Sequence, residues 1–189
     1  AECVENQGRF LDDIINGIFS LCEESGWQLP AHNSKPGKPN ELLPDTAEPV
    51  IDLFACETGA QLACILYLLE EQLDAVSPYI TSRIRNELNH RVITPYLTKH
   101  FWWMGSEDRE MCNWTPWCTQ NVLYTVFLCA SCNTIDFCIA GTWTDANKVM
   151  SDVFAKAAAS CDYFLKDYGE DGCCDEGAQY FRHAGLCLD

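Results

Sequence analysis

Apolar residues recur along this chain at helical rather than strand spacing, and most of its length divides into helices on that basis. Phe10, Leu11, Ile14, Ile15, Ile18, Phe19 and Cys22 predict an amphipathic helix near residues 4–25, with Gly26 where a terminator belongs. Residues 30–49 hold Pro30, Pro36, Pro39, Pro44 and Pro49, which exclude a regular element and predict a long loop. From Val50 to about Val76 the apolar positions nearly surround the helix, through Leu53, Phe54, Leu62, Ile65, Leu66, Leu69 and Leu73, so this helix is expected to be buried on most sides. Ser77-Pro78 is a cap followed by a first-turn proline. Ile80, Ile84, Leu88, Val92 and Tyr96 then step along one face, while Arg83, Arg85, Glu87 and Arg91 predict a solvated one.

After a loop near 103–114, Thr115-Pro116 predicts a second cap-plus-proline start. The helix it opens, roughly 116–139, is strongly apolar. Thr144-Asp145 opens another through Val149, Val153, Phe154, Cys161, Phe164 and Leu165, ending near Gly169. A short acidic loop, Asp171 to Glu176, leads into a last helix. Period-two alternation is almost absent. The expectation is an all-α fold of successive antiparallel helices, very apolar and amphipathic ones mixed, as in two layers with an inner buried set. An α/α toroid and a helical solenoid both fit, and the absence of a fixed-period repeat favours part of a toroid.

Composition narrows the function classes. The 189 residues carry twelve Lys plus Arg against twenty-eight Asp plus Glu, a net charge of −16, with a pI near 4.4 and no basic run. That argues against nucleic acid and anionic membrane surfaces as partners. An apolar share of 48% excludes a disordered acidic tail. The longest apolar run, Asn121 to Thr144, is interrupted by Asn133, Thr134 and Asp136, so no membrane span is expected. Thirteen cysteines are an odd number and cannot all pair internally. Cys22, Cys56, Cys64, Cys129, Cys132, Cys138 and Cys161 fall where a helix core wants a small apolar side chain, which points to free thiols and a cytoplasmic setting. The chain starts at Ala1 with no signal-peptide pattern and stops inside the apolar run Ala184 to Leu188, as a piece of a longer protein would.

Two segments carry candidate chemistry. Met111 to Asn121 places Trp114, Trp117, Asn113, Gln120 and Asn121 around a helix start. Indole faces stack on sugar rings or apolar ligands, and carboxamides grip hydroxyls or a carboxylate. The alternative is capping plus core anchoring. Asp171 to His183 places Tyr180, Arg182 and His183 at a loop-to-helix junction, with Tyr180 and His183 on one helix face. Arg182 is expected to favour the phenolate of Tyr180; the alternative is an ordinary capping loop. Cys129-Ala-Ser-Cys132 has redox spacing but lies in an apolar helix, where core thiols are expected. Cys173 and Cys174 with Asp171 and Asp175 lack a second matching pair, so no metal and no other cofactor is expected. His90 and His100 with Arg83 and Arg91, and the pairs Glu23-Glu24 and Glu70-Glu71, are read as solvated charges.

Three stretches together carry a resemblance: Glu24-Ser-Gly-Trp-Gln-Leu-Pro-Ala-His32, Asn113-Trp-Thr-Pro-Trp-Cys-Thr-Gln-Asn121 and Asp171-Gly-Cys-Cys-Asp-Glu-Gly-Ala-Gln-Tyr180. In this order they resemble the heparinase II/III-like polysaccharide lyases across nearly the whole chain. The resemblance implies that residues 1–189 are part of an α/α toroid, with a β-sandwich domain of the same protein and a further catalytic His or Tyr beyond the chain end, so that this chain alone is expected to be an inactive fragment. It implies β-elimination at a uronic acid of an acidic polysaccharide or oligosaccharide such as a glycosaminoglycan. Asn121, with Gln120, would neutralise the uronate carboxylate, and Tyr180 would be the acid/base. His183, Arg182 and His32 would bind substrate, with Trp114 and Trp117 as sugar platforms. Val122 stands where many relatives have a His beside the Asn, and His183 is the alternative occupant of the Tyr180 position. Competing readings are a non-catalytic helical module that binds carbohydrate or protein, and a toroid glycoside hydrolase using Asp175 and Glu176.

Overall fold

A computed structural model describes residues 1–33, 41–132, 136–172, 174 and 176–188. The chain is mostly helical. Helix α1 (Glu2–Glu5) and α2 (Leu11–Glu23) replace the single helix expected over 4–25. Asn6 and Gly8 turn the backbone left-handed between them, with φ of 48° and 73°. Glu2 bridges the break: its carboxylate accepts the Gly8 and Phe10 amides at 2.7 and 3.0 Å, capping the start of α2.

Helix α3 (Leu53–Val76) starts where Asp52 caps it, accepting the Ala55 amide at 2.8 Å. By length and composition alone it could cross a membrane, although it is not the longest apolar run of the sequence. In the fold it is the central helix, with Ala55, Cys56, Gly59, Leu62, Leu66, Leu69 and Leu73 buried. Ser77 caps α4 (Pro78–Leu88) as expected. One wide π-type turn, Asn89–Ile93, then passes into α5 (Thr94–Thr98). Ile80, Ile84, Leu88, Val92 and Tyr96 are all buried.

The charged face of this segment is not simply solvated. Arg83 and Arg91 both bind Glu87 and both donate to the carbonyl of Cys22, at 2.8 and 3.1 Å. Arg91 also stands 4.8 Å over the Trp27 ring, and Arg85 pairs with Glu70. Arg83 and Arg91 thereby tie the end of α2 and its following loop onto α4 and the π-type turn, because carbonyls left open at a helix end attract cations. His100 is not on this helix; it follows the end of α5.

Helix α6 (Trp114–Ser131) packs along α3. Its start departs from the expected cap. Asn113 precedes the first turn, and the Thr115 hydroxyl instead donates to the buried Trp103 carbonyl at 2.6 Å. The helix also stops eight residues earlier than the pattern suggests. A hairpin follows, β1 (Asp136–Ile139) paired antiparallel with β2 (Thr142–Asp145), Phe137 opposite Thr144 and Cys138 opposite Trp143. Ala140 and Gly141, both at positive φ, make the two-residue turn. The described chain remains mostly helical, compatible with the all-α expectation, with this one small hairpin added.

Helix α7 (Ala146–Lys166) begins at an Asp145 cap and packs on α6. Its Lys156 donates to the Tyr96 and Lys99 carbonyls, each at 2.6 Å, closing the end of α5. Helix α8 (Gly177–Leu186) leans on α6, and Glu176 just before it accepts the Asn113 amide at the start of α6. Cys22, Cys56, Cys129 and Cys132 are buried free thiols as expected, and so is Cys118; Cys138 and Cys161 are half-buried, and Cys64, expected in the core, is exposed. Pro36, Pro39, Cys173 and Asp175 lie outside the described residues.

Candidate functional site

The sequence brings three segments to the N-terminal half of α6. Trp114 and Trp117 are one turn apart there, and Asn121 one turn further on, so the three share a face. On the opposing helix Phe54 and Glu57 are likewise one turn apart. Two clusters therefore occupy successive turns of the same α3–α6 pair.

The first cluster surrounds a cavity of about 820 Å³, within the range of small-molecule sites. Its walls come from His32, the loop segment 48–52, the segment 99–102, Arg109 and Trp114. His32 Nδ1 lies 2.7 Å from Asp52 Oδ2. A carboxylate only accepts, so Nδ1 carries the proton and Nε2 is left for the cavity. Asp52 is 1% exposed and also accepts the Leu29 amide at 3.0 Å, which holds the Gly26–His32 loop against the start of α3. The His32 ring stands edge-on to Trp114, centroids 4.7 Å apart, and Trp114 meets Trp102 at 5.0 Å with the planes 44° apart. The Arg109 guanidinium lies 4.7 Å over the other ring of that corner, Trp102. Lys99 donates to the Pro49 carbonyl and pairs with Glu48. The His100 Nε2 proton goes to the Gly105 carbonyl at 2.9 Å.

This wall is fixed from behind. Trp103 is fully buried and its indole donates to the Ile51 carbonyl at 3.0 Å, while its own carbonyl takes the Thr115 hydroxyl. A buried indole with both polar contacts satisfied makes a rigid post, and Trp102 is the adjacent residue facing outward.

The second cluster lies around Trp117. Its indole donates to Glu57 Oε1 at 2.8 Å, and its face stacks on His183 at 5.1 Å with planes 12° apart. Tyr180 lies one turn before His183 on α8, ring centroids 6.4 Å apart, and is 44% exposed. The Asn121 amide donates to the Trp117 carbonyl at 3.0 Å, and Gln120 is half-buried beside it.

Of the residues singled out in the sequence, the structure thus gathers Trp117, His183 and Tyr180 in one cluster, and His32 and Trp114 in the other; Asn121 is one turn along α6 from Trp117 and bonds back to its carbonyl. Arg182 joins neither. It is exposed on α8, one residue from His183 and two from Tyr180, offsets that do not face each other on a helix. Sequence reading missed Asp52, Trp102, Lys99, His100 and Arg109. Asp52 offered a signal, an acidic N-cap before a long apolar helix; Arg109 sits in a loop with no pattern to mark it. Glu176 is engaged by the Asn113 amide, while the hydrolase reading's other carboxylate, Asp175, lies outside the described residues. Among the described residues no three His, Cys, Asp or Glu side chains converge as metal ligands. No family model matches this chain, and no curated protein sequence matches it.

Proposed function

We propose that this chain carries part of the catalytic domain of a polysaccharide lyase of the heparinase II/III-like kind, cleaving a uronate-containing glycan by β-elimination. One observation carries the reading: Trp117, from the second resemblance stretch, stacks across α6 and α8 on His183, one turn past Tyr180 at the end of the third, and Asn121 lies one turn along α6 from Trp117. Trp117 would offer a sugar ring the indole face opposite the one stacked on His183. Asn121, as a neutral donor, suits the uronate carboxylate, whose charge must be offset before the adjacent proton becomes acidic.

In the proposed step, Tyr180 as phenolate takes the proton on C5. The C5–H electron pair becomes the C4=C5 double bond, and the C4–O4 pair leaves with the glycosidic oxygen. That oxygen takes back the proton from Tyr180, so no charge accumulates. His183 and Glu57 fix the Trp117 platform from its face and its edge. The helices supporting this arrangement fit a segment of an α/α toroid, with the β-sandwich of the same protein as the expected partner.

The test is to incubate the full-length protein, β-sandwich domain included, with a panel of polyuronates and follow the ultraviolet absorbance of the unsaturated uronate. A rise that Tyr180→Phe abolishes supports the reading. Reducing ends without that absorbance would favour a hydrolase, and binding without cleavage a carbohydrate-binding module; either result ends the lyase proposal.

A further inference from the structure

Charge is distributed unevenly in this acidic protein. Two of its twelve Lys and Arg side chains and two of its four His line a single cavity, the one at Trp102 and Trp114. The acids in the same wall are already engaged. The Asp52 carboxylate faces inward onto His32 and the amides of Leu29 and Ala55, and Glu48 is paired with Lys99. Among the described residues, no carboxylate pairs with Arg109, whose guanidinium carbon stands 4.7 Å over the Trp102 ring. A guanidinium held on an indole keeps its edge donors free, and it is weakly hydrated, so it binds a planar or tetrahedral anion with small desolvation cost.

We infer that this cavity is a second saccharide station, which takes a sugar ring bearing a carboxylate or sulfate group. The ring packs into the corner of Trp102 and Trp114, and its anionic group meets the Arg109 fork, with His32 Nε2 opposite. The 44° tilt of the two indoles makes an open corner suited to the puckered faces of a sugar, where a flat nucleobase would need a parallel slot. Trp114 and Trp117 belong to successive turns of α6, about 4.5 Å of rise apart, so a chain threaded over one reaches the other. Only the identification of the Trp117 end as the reacting one rests on the lyase reading. The consequence is a requirement for anionic sugar on a ring that is not itself cleaved, so short substrates lose affinity.

The experiment titrates the full chain with three size-matched tetrasaccharides by calorimetry: a sulfated chondroitin, an unsulfated chondroitin and a neutral chitin oligomer. Adenosine monophosphate serves as a competitor. Both acidic sugars are expected to bind at least about tenfold tighter than the neutral one, and Arg109→Ala to remove about tenfold of that preference. Arg109→Lys, which keeps the charge but loses the fork, should fall between. Preference for the sulfated over the unsulfated acid assigns the anion as sulfate, and equal binding assigns it as the uronate carboxylate. Equal binding of the neutral sugar, an Arg109→Ala variant that binds like the parent, or displacement by adenosine monophosphate at lower concentration than either acid overturns the inference. Absence of unsaturated product from the full-length protein with Arg109-dependent binding intact would remove the lyase reading alone, and product formation by it with an unchanged KM in Arg109→Ala would remove the station alone.

Discussion

His32 Nδ1 lies 2.7 Å from Oδ2 of Asp52, a carboxylate that also accepts the backbone amides of Leu29 and Ala55. One buried side chain therefore starts the longest helix, pins the loop before it and orients a cavity-facing imidazole. Asp52→Ala is expected to lower stability by about 2–4 kcal/mol, combining a lost cap with two amides or a ring nitrogen left unpaired. Asp52→Asn keeps part of the cap and should cost about 1–2 kcal/mol. His32→Ala should cost less than either, because its ring is partly solvated. Urea unfolding of the three variants checks the order, and an Asp52→Ala variant as stable as the parent would refute it.

Gly105 faces Tyr163 so closely that an added Cβ would stand 2.4 Å from the ring, and its φ is +101°. Both facts bear on the cavity, since the Gly105 carbonyl takes the His100 proton. Gly105→Ala should destabilise by about 1–3 kcal/mol from backbone strain alone, and more once Tyr163 is displaced. Combining it with Tyr163→Ala should recover the steric part and leave the strain. Thermal unfolding of both variants and the Tyr163→Ala control measures the split; a double variant no better than the sum of the two singles means that the contact is not the cause.

Helix existence was legible along most of this chain because apolar spacing and Asp, Ser and Pro caps agree locally, as at Ser77-Pro78 and Asp145. Failures came where a distant partner decides. The Thr115 hydroxyl was drawn from its capping role by the Trp103 carbonyl, and the first helix broke at Gly8 because Glu2 folds back onto the Gly8 and Phe10 amides. The hairpin of 136–145 hid behind β-branched and apolar residues that suit either element; its signal was Ala140-Gly141, a turn rather than a pattern. In the site, residues in short recognisable stretches such as Trp114 and His183 could be named in advance. Lys99, His100 and Arg109 reach the cavity through loop paths set by Trp103 and Gly105, which no local spacing records.

Tyr96 is fully buried, and its hydroxyl has no hydrogen-bond partner among the described residues. Burial drives its pKa upward, since phenolate would have to form away from water. Its ring supports Trp103 at 6.2 Å and the Lys156 ammonium at 5.3 Å, contacts that phenylalanine would keep. Tyr96→Phe is therefore expected to leave stability unchanged or raise it by about 1 kcal/mol, because an unpaired buried hydroxyl costs more than its removal. A melting temperature several degrees lower would show instead that the hydroxyl is satisfied in solution.

The thiols give the fold an alkaline limit. Burial pushes the Cys129 thiol up to about 12 and raises Cys22, Cys118 and Cys132 as well. In the unfolded chain the same groups ionise near the ordinary thiol value of about 8.5. The native state thus keeps protons that the unfolded state releases, so stability is constant below that value and falls as pH rises above it. Each well-buried thiol contributes at most about 1.4 kcal/mol per pH unit in that window. Replacing Cys129 with Val should flatten the decline between pH 9 and about 12 by one such proton, read from urea midpoints at successive pH values. Iodoacetamide at pH 8 should label the exposed Cys3 and Cys64 first and leave Cys129 unmodified until the protein unfolds. Labelling of Cys129 at the rate of Cys64 in the native protein would mean that α6 is not packed against α3 as described.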